Sequence, residues 1–432
     1  MLRRLLKWSI TPTLLFVYHT SASSLTRATS TSDAIPFSPG FDVEAVLALA
    51  TTLPSHSWEF GTASEALLEL FDAPHAVFGA NPFPVPTIQP SDSPSLTYAK
   101  ENIVISTPPD GLSNGDGAVG DPASLGVSAV LLGKTLASYS EAAAQEAFYV
   151  INEAPKWPNG AISHRAQYAE LWADFVYMAP PFLAYYGVAT NNVTTLRIAV
   201  EQCQLYRQAL TANTTIGSAV PPTTHSSSTE GLWIHILGPA SPDPGLWSTG
   251  NAWAAAGTMR VLATLVKAPS SLFSHGSSSL PNEAWRAQAI VSLVQLISAI
   301  LDGAIRQQRD QGLLRNYLDD PSWFGETSGS TLLASVAYRI SALSLSHGPL
   351  SASLASVNVH SYITFAESIR RTLGSDGHIS SNGTATPAIN PLNWGDHTPF
   401  TAGSPEGQNF VILLYAAWRD CVRAGVPGCS AH

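Results

Sequence analysis

The chain has 432 residues, 45% of them apolar and only 12% charged. That is enough apolar chain to bury a large core, which excludes a disordered or low-complexity protein. Its net charge is −10 and no basic block occurs along it, which excludes the phosphate-neutralising face that nucleic-acid recognition needs.

Taken in chain order, Arg3, Arg4 and Lys7 precede an apolar stretch from Trp8 to Tyr18, followed by the small residues Thr20, Ser21, Ala22, Ser23 and Ser24. This pattern predicts a signal peptide over 1–22 and hence a secreted, extracellular protein. The apolar part is too short to span a bilayer and no later uninterrupted apolar run reaches about eighteen residues, so no membrane anchor is expected. A Ser/Thr-rich stretch then reads as a flexible leader over 23–40. From there apolar residues recur at spacings of three and four over 43–52, 62–72, 125–137, 139–153, 168–187, 193–211, 250–267, 283–309, 328–346, 354–374 and 406–424. These are eleven predicted helices, mostly in close pairs. The longer Gly-, Pro- and Ser-rich connections are 75–124, 213–249, 268–282 and 375–405, and strand-like alternation is confined to short pieces within them. Helical hairpins without a break in composition predict one domain over 41–432, an all-α ring of about six hairpins, with inner helices around a central pit and the chemistry on loops at one end. Cys421 and Cys429 close a short loop and can pair in an oxidising compartment, whereas Cys203 reads as a buried apolar residue. Asn192, Asn213 and Asn382 begin glycosylation sequons.

Four stretches couple ionisable groups to aromatics near helix ends: 120–126; 159–165 leading into 170–178; 231–235 with 245–253; and 323–330. Indole faces stack on sugar rings while Asp, Asn, His and Arg bond hydroxyls and carboxylates, which is how carbohydrate sites are built. Asp174 lies between Trp172, Phe175 and Tyr177. Aromatic walls would desolvate its carboxyl and raise its pKa, as a general acid requires; the alternative is a helix cap. Asp121, before Pro122, also reads as a cap, and Glu326 as a capping or loop carboxylate. His164 and His235 lack partners at metal-ligand spacing, so metal binding is not expected; they read as loop histidines or substrate contacts. Trp247 and Trp253 flank Gly250-Asn251, one Trp more than core packing easily explains. No nucleophile elbow, phosphate loop or dinucleotide fingerprint occurs.

These stretches resemble the unsaturated rhamnogalacturonyl and unsaturated glucuronyl hydrolases, glycoside hydrolase families 105 and 88. The resemblance covers residues 115–425. It rests on Asp121 with Gly126, on the Gly-x-x-x-His-Arg segment ending at His164-Arg165, on Leu171-Trp172-Ala173-Asp174-Phe175-Val176-Tyr177-Met178, on Trp247-x-x-Gly250-Asn251-x-Trp253, and on Glu326-Thr327-Ser328-Gly329-Ser330. It implies an (α/α)6 toroid acting without cofactor on the 4,5-unsaturated uronic acid at the nonreducing end of a lyase-generated oligosaccharide, pectin fragments first. Asp174 matches the family's general acid/base. Asp121 matches a second active-site acid, expected to position substrate and raise the pKa of Asp174. His164, Arg165, Trp172, Tyr177, His235, Trp247, Thr249, Asn251, Trp253 and Glu326 match or adjoin substrate-contacting positions. The chain departs from the family at Thr249, where an Arg that can hold a carboxylate bidentately is common, and at Phe175, where a second Asp often stands. Two competing expectations are a sugar-binding toroid without turnover, favoured by the loss of that Arg, and a polysaccharide lyase using Tyr177 or His235. A monomer is expected.

Overall fold

The computed structural model describes residues 31–107, 109–212, 227–274, 282–345, 351–375 and 377–431. The signal-peptide segment and the sequon at Asn213 lie outside these. Among the described residues there are twelve helices of seven residues or more: α1 (Val43–Thr52), α2 (Ser57–Phe71), α3 (Pro94–Asn102), α4 (Gly126–Leu132), α5 (Ala137–Phe148), α6 (Phe175–Ala189), α7 (Val193–Leu210), α8 (Ser248–Lys267), α9 (Asn282–Ile305), α10 (Thr327–Ser344), α11 (Val359–Ser375) and α12 (Pro405–Arg423). Strands among the described residues are limited to two antiparallel pairs of dipeptides, Leu171–Trp172 (β1) with Ile236–Leu237 (β2), and Arg309–Asp310 (β3) with Leu313–Leu314 (β4).

The even-numbered helices pack in succession, α2 on α4, α4 on α6 and so round to α12, which returns to α2. They form the inner wall, and the odd-numbered helices lie outside it. The chain is therefore an all-α (α/α)6 toroid. One continuous cluster of buried apolar residues runs from Ala34 to Val426. The inner wall is tight because small residues stand where backbones cross: a Cβ on Gly257 of α8 would lie 2.0 Å from the Val176 carbonyl of α6. α9 is long and apolar enough to cross a membrane, and 56% of that stretch is buried.

Three expectations need correction. The twelfth helix, α3, falls inside the segment read as a loop, because Pro94 opens it, Ser93 caps it, and it buries only Ser95, Leu96 and Ala99, too few for a periodic signal. The helix expected from 168 starts at Phe175; residues 171–172 pair with β2 instead. The leader expected over 23–40 is packed from Ala34 onwards. Ala34 is buried, its carbonyl accepts from Arg419 Nη1 at 3.0 Å, and the Phe37 ring lies edge-on to Trp418.

At the C-terminal ends of the inner helices a chain of buried ion pairs closes the ring. Arg260 of α8 reaches Glu65 (2.7 Å) and Glu69 (2.5 Å) of α2, while Arg339 of α10 reaches Glu69 (2.6 Å) and Asp420 of α12 (2.6 Å). Removing one partner of a buried pair leaves an uncompensated charge, at a cost of about 3–5 kcal/mol. Arg260→Leu is expected to destabilise the protein by that amount, measured by denaturant unfolding.

Candidate active site

The opposite end of the ring holds a pit of about 850 Å³, counting its open mouth. Its lining comes from the starts of inner helices: Trp58 in the first turn of α2, Asp121 in the single turn Gly120–Ala123 before α4, Asp174 at the N-cap of α6, Trp247 at the N-cap of α8, and Glu406 in the first turn of α12. Helix N-termini carry partial positive charge, so this arrangement favours an anionic ligand.

The β1–β2 pairing, continued by an Ala173 N–H bond to the His235 carbonyl (3.0 Å), sets His235 against Asp174. His235 Nε2 lies 3.3 Å from Asp174 Oδ2, and Nδ1 lies 2.9 Å from Asp243 Oδ2. Asp243 Oδ2 also accepts from Tyr317 Oη (2.5 Å) and Trp394 Nε1 (3.1 Å), and its Oδ1 accepts from the Gly245 N–H (3.0 Å). Burial opposes charge on His235, but the carboxylates of Asp174 and Asp243 outweigh it and raise its pKa. Asp243 moves the other way: burial pushes it up, and its bonds from His235, Tyr317 and Gly245 overcome that and lower it.

Across the pit, bonds from the Val119 N–H to the His164 carbonyl (2.7 Å) and from the His164 N–H to the Glu170 carbonyl (2.8 Å) bring His164 beside Asp121, with Nε2 3.7 Å from Oδ1. The His164 ring stacks on Trp172 at 5.0 Å. Burial lowers His164 to about 4, so it is neutral. Asp121 is pushed up to about 8, first by burial and then by the charge of Asp174, against Arg165. Glu406, which accepts from Trp58 Nε1 at 3.1 Å, is raised well above the usual carboxylate range, by burial and then by Asp174. The two aspartate side chains keep 13% and 14% exposure, while the two histidines are nearly covered. The acids are therefore what a ligand reaches. Asp121 is neutral at pH 7, which reduces the negative charge of a pit lined by four acids, and the Arg165 guanidinium stands in the same wall. Among the described residues no group of three or more His, Cys, Asp or Glu is arranged to hold a metal ion.

The sequence model of Glycosyl Hydrolase Family 88 matches residues 131–379. The chain belongs to this family. It is a glycoside hydrolase. Its fold is similar over 94% of the chain to all of a possible member of family GH105 from Salmonella enterica subsp. enterica serovar Paratyphi A, at 16% identity and a TM-score of 0.62. It is similar over 91% of the chain to 99% of a family 88 glycosyl hydrolase from Bacteroides vulgatus, at 12% identity and a TM-score of 0.60. It is similar over 93% of the chain to 98% of the unsaturated glucuronyl hydrolase of Bacillus sp. GL1, at 14% identity and a TM-score of 0.53. No curated protein matches the chain in sequence.

In this family 88 hydrolase the pit gathers Asp121, Asp174, His164, Arg165, Trp172, His235 and Trp247 from the residues singled out by sequence. A raised carboxyl stands at Asp121. Its neighbour His164 is neutral, whereas Asp174 has the His235 ring beside Oδ2. Five other expected contacts are structural. Tyr177 and Trp253 pack on each other at 4.4 Å inside the wall, Tyr177 beneath the Arg260 guanidinium. Asn251 is occupied by the Trp233 N–H and the Trp233 and Trp247 carbonyls. Glu326 caps α10, accepting from the Ser328 and Gly329 N–H groups and from Ser248 and Thr249 of α8. Thr249 thus faces Glu326, and Arg165 is the guanidinium that lines the pit.

Sequence reading missed His56, Trp58, Asp243, Trp394 and Glu406. Trp58 and Glu406 do carry a signal, an aromatic and an acid in helix first turns, but they meet across 348 residues. Asp243 sits in a Pro- and Gly-rich turn and shows none. Replacing Glu326 by Ala strands two hydroxyls and two N–H groups. The expected cost is roughly 2–4 kcal/mol of stability with KM unchanged, read from thermal unfolding beside steady-state kinetics.

Proposed function

We propose that this hydrolase removes a 4,5-unsaturated uronic acid from the nonreducing end of lyase-generated oligosaccharides by hydrating the vinyl ether, with Asp174 as general acid/base. The observation that carries the reading is the pairing of Asp174, backed by His235 at 3.3 Å, with an Asp121 carboxyl held neutral, at the floor of a pit walled by indoles. Asp174 hands a proton to C4, and the His235 ring steadies the carboxylate left behind. Water adds at C5 and returns its proton to Asp174, and the resulting hemiketal opens to release the remaining chain. Neutral Asp121 donates a hydrogen bond to the sugar. Arg165 at the pit wall and the converging helix N-termini meet the uronate carboxylate, in the role an Arg at position 249 would otherwise fill. The sequence resemblance to the rhamnogalacturonyl hydrolases puts pectin fragments ahead of glycosaminoglycan fragments.

The substrate's C4=C5 bond is conjugated with its carboxylate and absorbs in the ultraviolet, so hydrolysis should make that absorbance fall. Purified protein is expected to bleach lyase-digested rhamnogalacturonan, and Asp174→Asn to lower kcat by about 10²–10⁴-fold. A rise in absorbance would identify a lyase, and a flat trace from folded protein a binding protein. Asp121 is neutral below about pH 8 and ionises above it. The added charge repels the uronate, so kcat/KM should fall through that pH, and the limb should vanish from the residual activity of Asp121→Asn.

We also propose export. The reading is supported by the basic-then-apolar N-terminal sequence, by the bond joining Cys421 to Cys429, and by the exposure of Asn192 and Asn382. Protein made in a eukaryotic secretory host should appear in the medium and lose mass on peptide N-glycosidase treatment. Retention in the cell without glycan would overturn this.

A further inference from the structure

The hydrogen bonds around Asp243 exceed what a surface turn requires. One carboxylate oxygen takes donors from three segments: His235 Nδ1 at 2.9 Å, Tyr317 Oη at 2.5 Å and Trp394 Nε1 at 3.1 Å. The other is pinned by the Gly245 N–H at 3.0 Å. The carboxylate is therefore fixed in orientation, and the imidazole it touches is the one that lies beside Asp174. The His235 ring is boxed by Trp172 (5.7 Å), Trp247 (4.4 Å) and Trp394 (5.1 Å), so it cannot turn away. Its side chain has no exposed surface, which leaves Asp243 and Asp174 as the groups at its two nitrogens.

We propose that Asp243 is a positioning residue for the reaction, fixing the His235 ring with Nε2 beside Asp174 and favouring its charged form. This rests on the reading of Asp174 as acid/base given above. Asp243 does not itself line the pit, although it bonds to the lining residues His235 and Trp394, and it acts through the His235 ring. A charged partner at Nδ1 favours the doubly protonated ring, whose Nε2 lies 3.3 Å from Asp174 Oδ2. When Asp174 gives its proton to C4, the new carboxylate forms beside a fixed positive charge. The charged and titratable groups around the ring are Asp243 on its own segment, Asp174 at the start of α6, Tyr317 behind Asp243, and neutral His164 across Trp172.

The test is the titration of His235 in the full-length protein, followed by the ring nitrogens in ¹⁵N-histidine-labelled samples and assigned by loss of the signal in His235→Gln. Asp243→Asn keeps the acceptor but removes its charge, and should lower the His235 midpoint by about one unit or more. It should also reduce kcat at least about 10-fold with little change in KM. Tyr317→Phe removes a competing donor from the same oxygen, leaves more charge for the ring, and should move the midpoint upward. Opposite shifts support the assignment even on a protein that turns over no unsaturated uronide, a result that would sink the proposed function alone. An unmoved midpoint in both variants overturns the positioning role. Should Asp243→Asn not fold, Tyr317→Phe decides by itself, an upward shift supporting the proposal and no shift overturning it.

Discussion

A closed ring of helices has to hold its first and last inner members together, and here that constraint falls on charge. Glu69 of α2 is shared by Arg260 and Arg339, and Arg339 passes the contact on to Asp420 of α12. Four of the six inner helices are thereby clamped at their C-terminal ends, in surroundings where an unmatched charge is costly. Apolar contacts alone would resist sliding of one helix along another only weakly, because one turn of an apolar face resembles the next. Paired guanidinium and carboxylate groups fix the rise of each helix. The benefit appears at the other end, where the helix starts come level and bring Trp58, Asp174, Trp247 and Glu406 to one pit.

The pit has a problem of its own. An anionic sugar must enter a cavity lined by four acids, and Thr249 stands where the family resemblance implies a guanidinium. Two features of the fold offset this. Burial raises both Asp121, to about 8, and Glu406, so at neutral pH Asp121 is a hydrogen-bond donor instead of a repelling charge. The N-termini of the inner helices converge on the same space and add partial positive charge from the backbone, independent of side-chain identity. In this setting position 249 is free to become Thr and join the network under Glu326.

The legible part of the molecule is the part written locally. Eleven of the twelve helices show apolar periodicity, and the missed one, α3, buries too little to produce it. Asp121, His164, Arg165, Trp172, Asp174, His235 and Trp247 stand in motifs whose order along the chain is the order of inner-helix starts. Illegible were the residues whose meaning depends on distant partners. Asp243 meets Trp394 across 151 positions and Trp58 meets Glu406 across 348, with nothing nearby in the chain to announce either contact.

The misreadings have one physical source. A polar residue beside an aromatic at a helix start is the pattern of a sugar contact and equally the pattern of a cap, because both use the unsatisfied N–H groups of the first turn. What separates them is whether hydrogen-bonding capacity is left over. Glu326 and Asn251 spend theirs on N–H groups, hydroxyls and carbonyls of the wall. Asp174 makes no side-chain cap bond although it stands at the N-cap of α6, and its Oδ2 meets only the His235 ring. A cap position whose carboxylate declines to cap is held for something else, and in this toroid the group holding it is a histidine fixed from behind by Asp243.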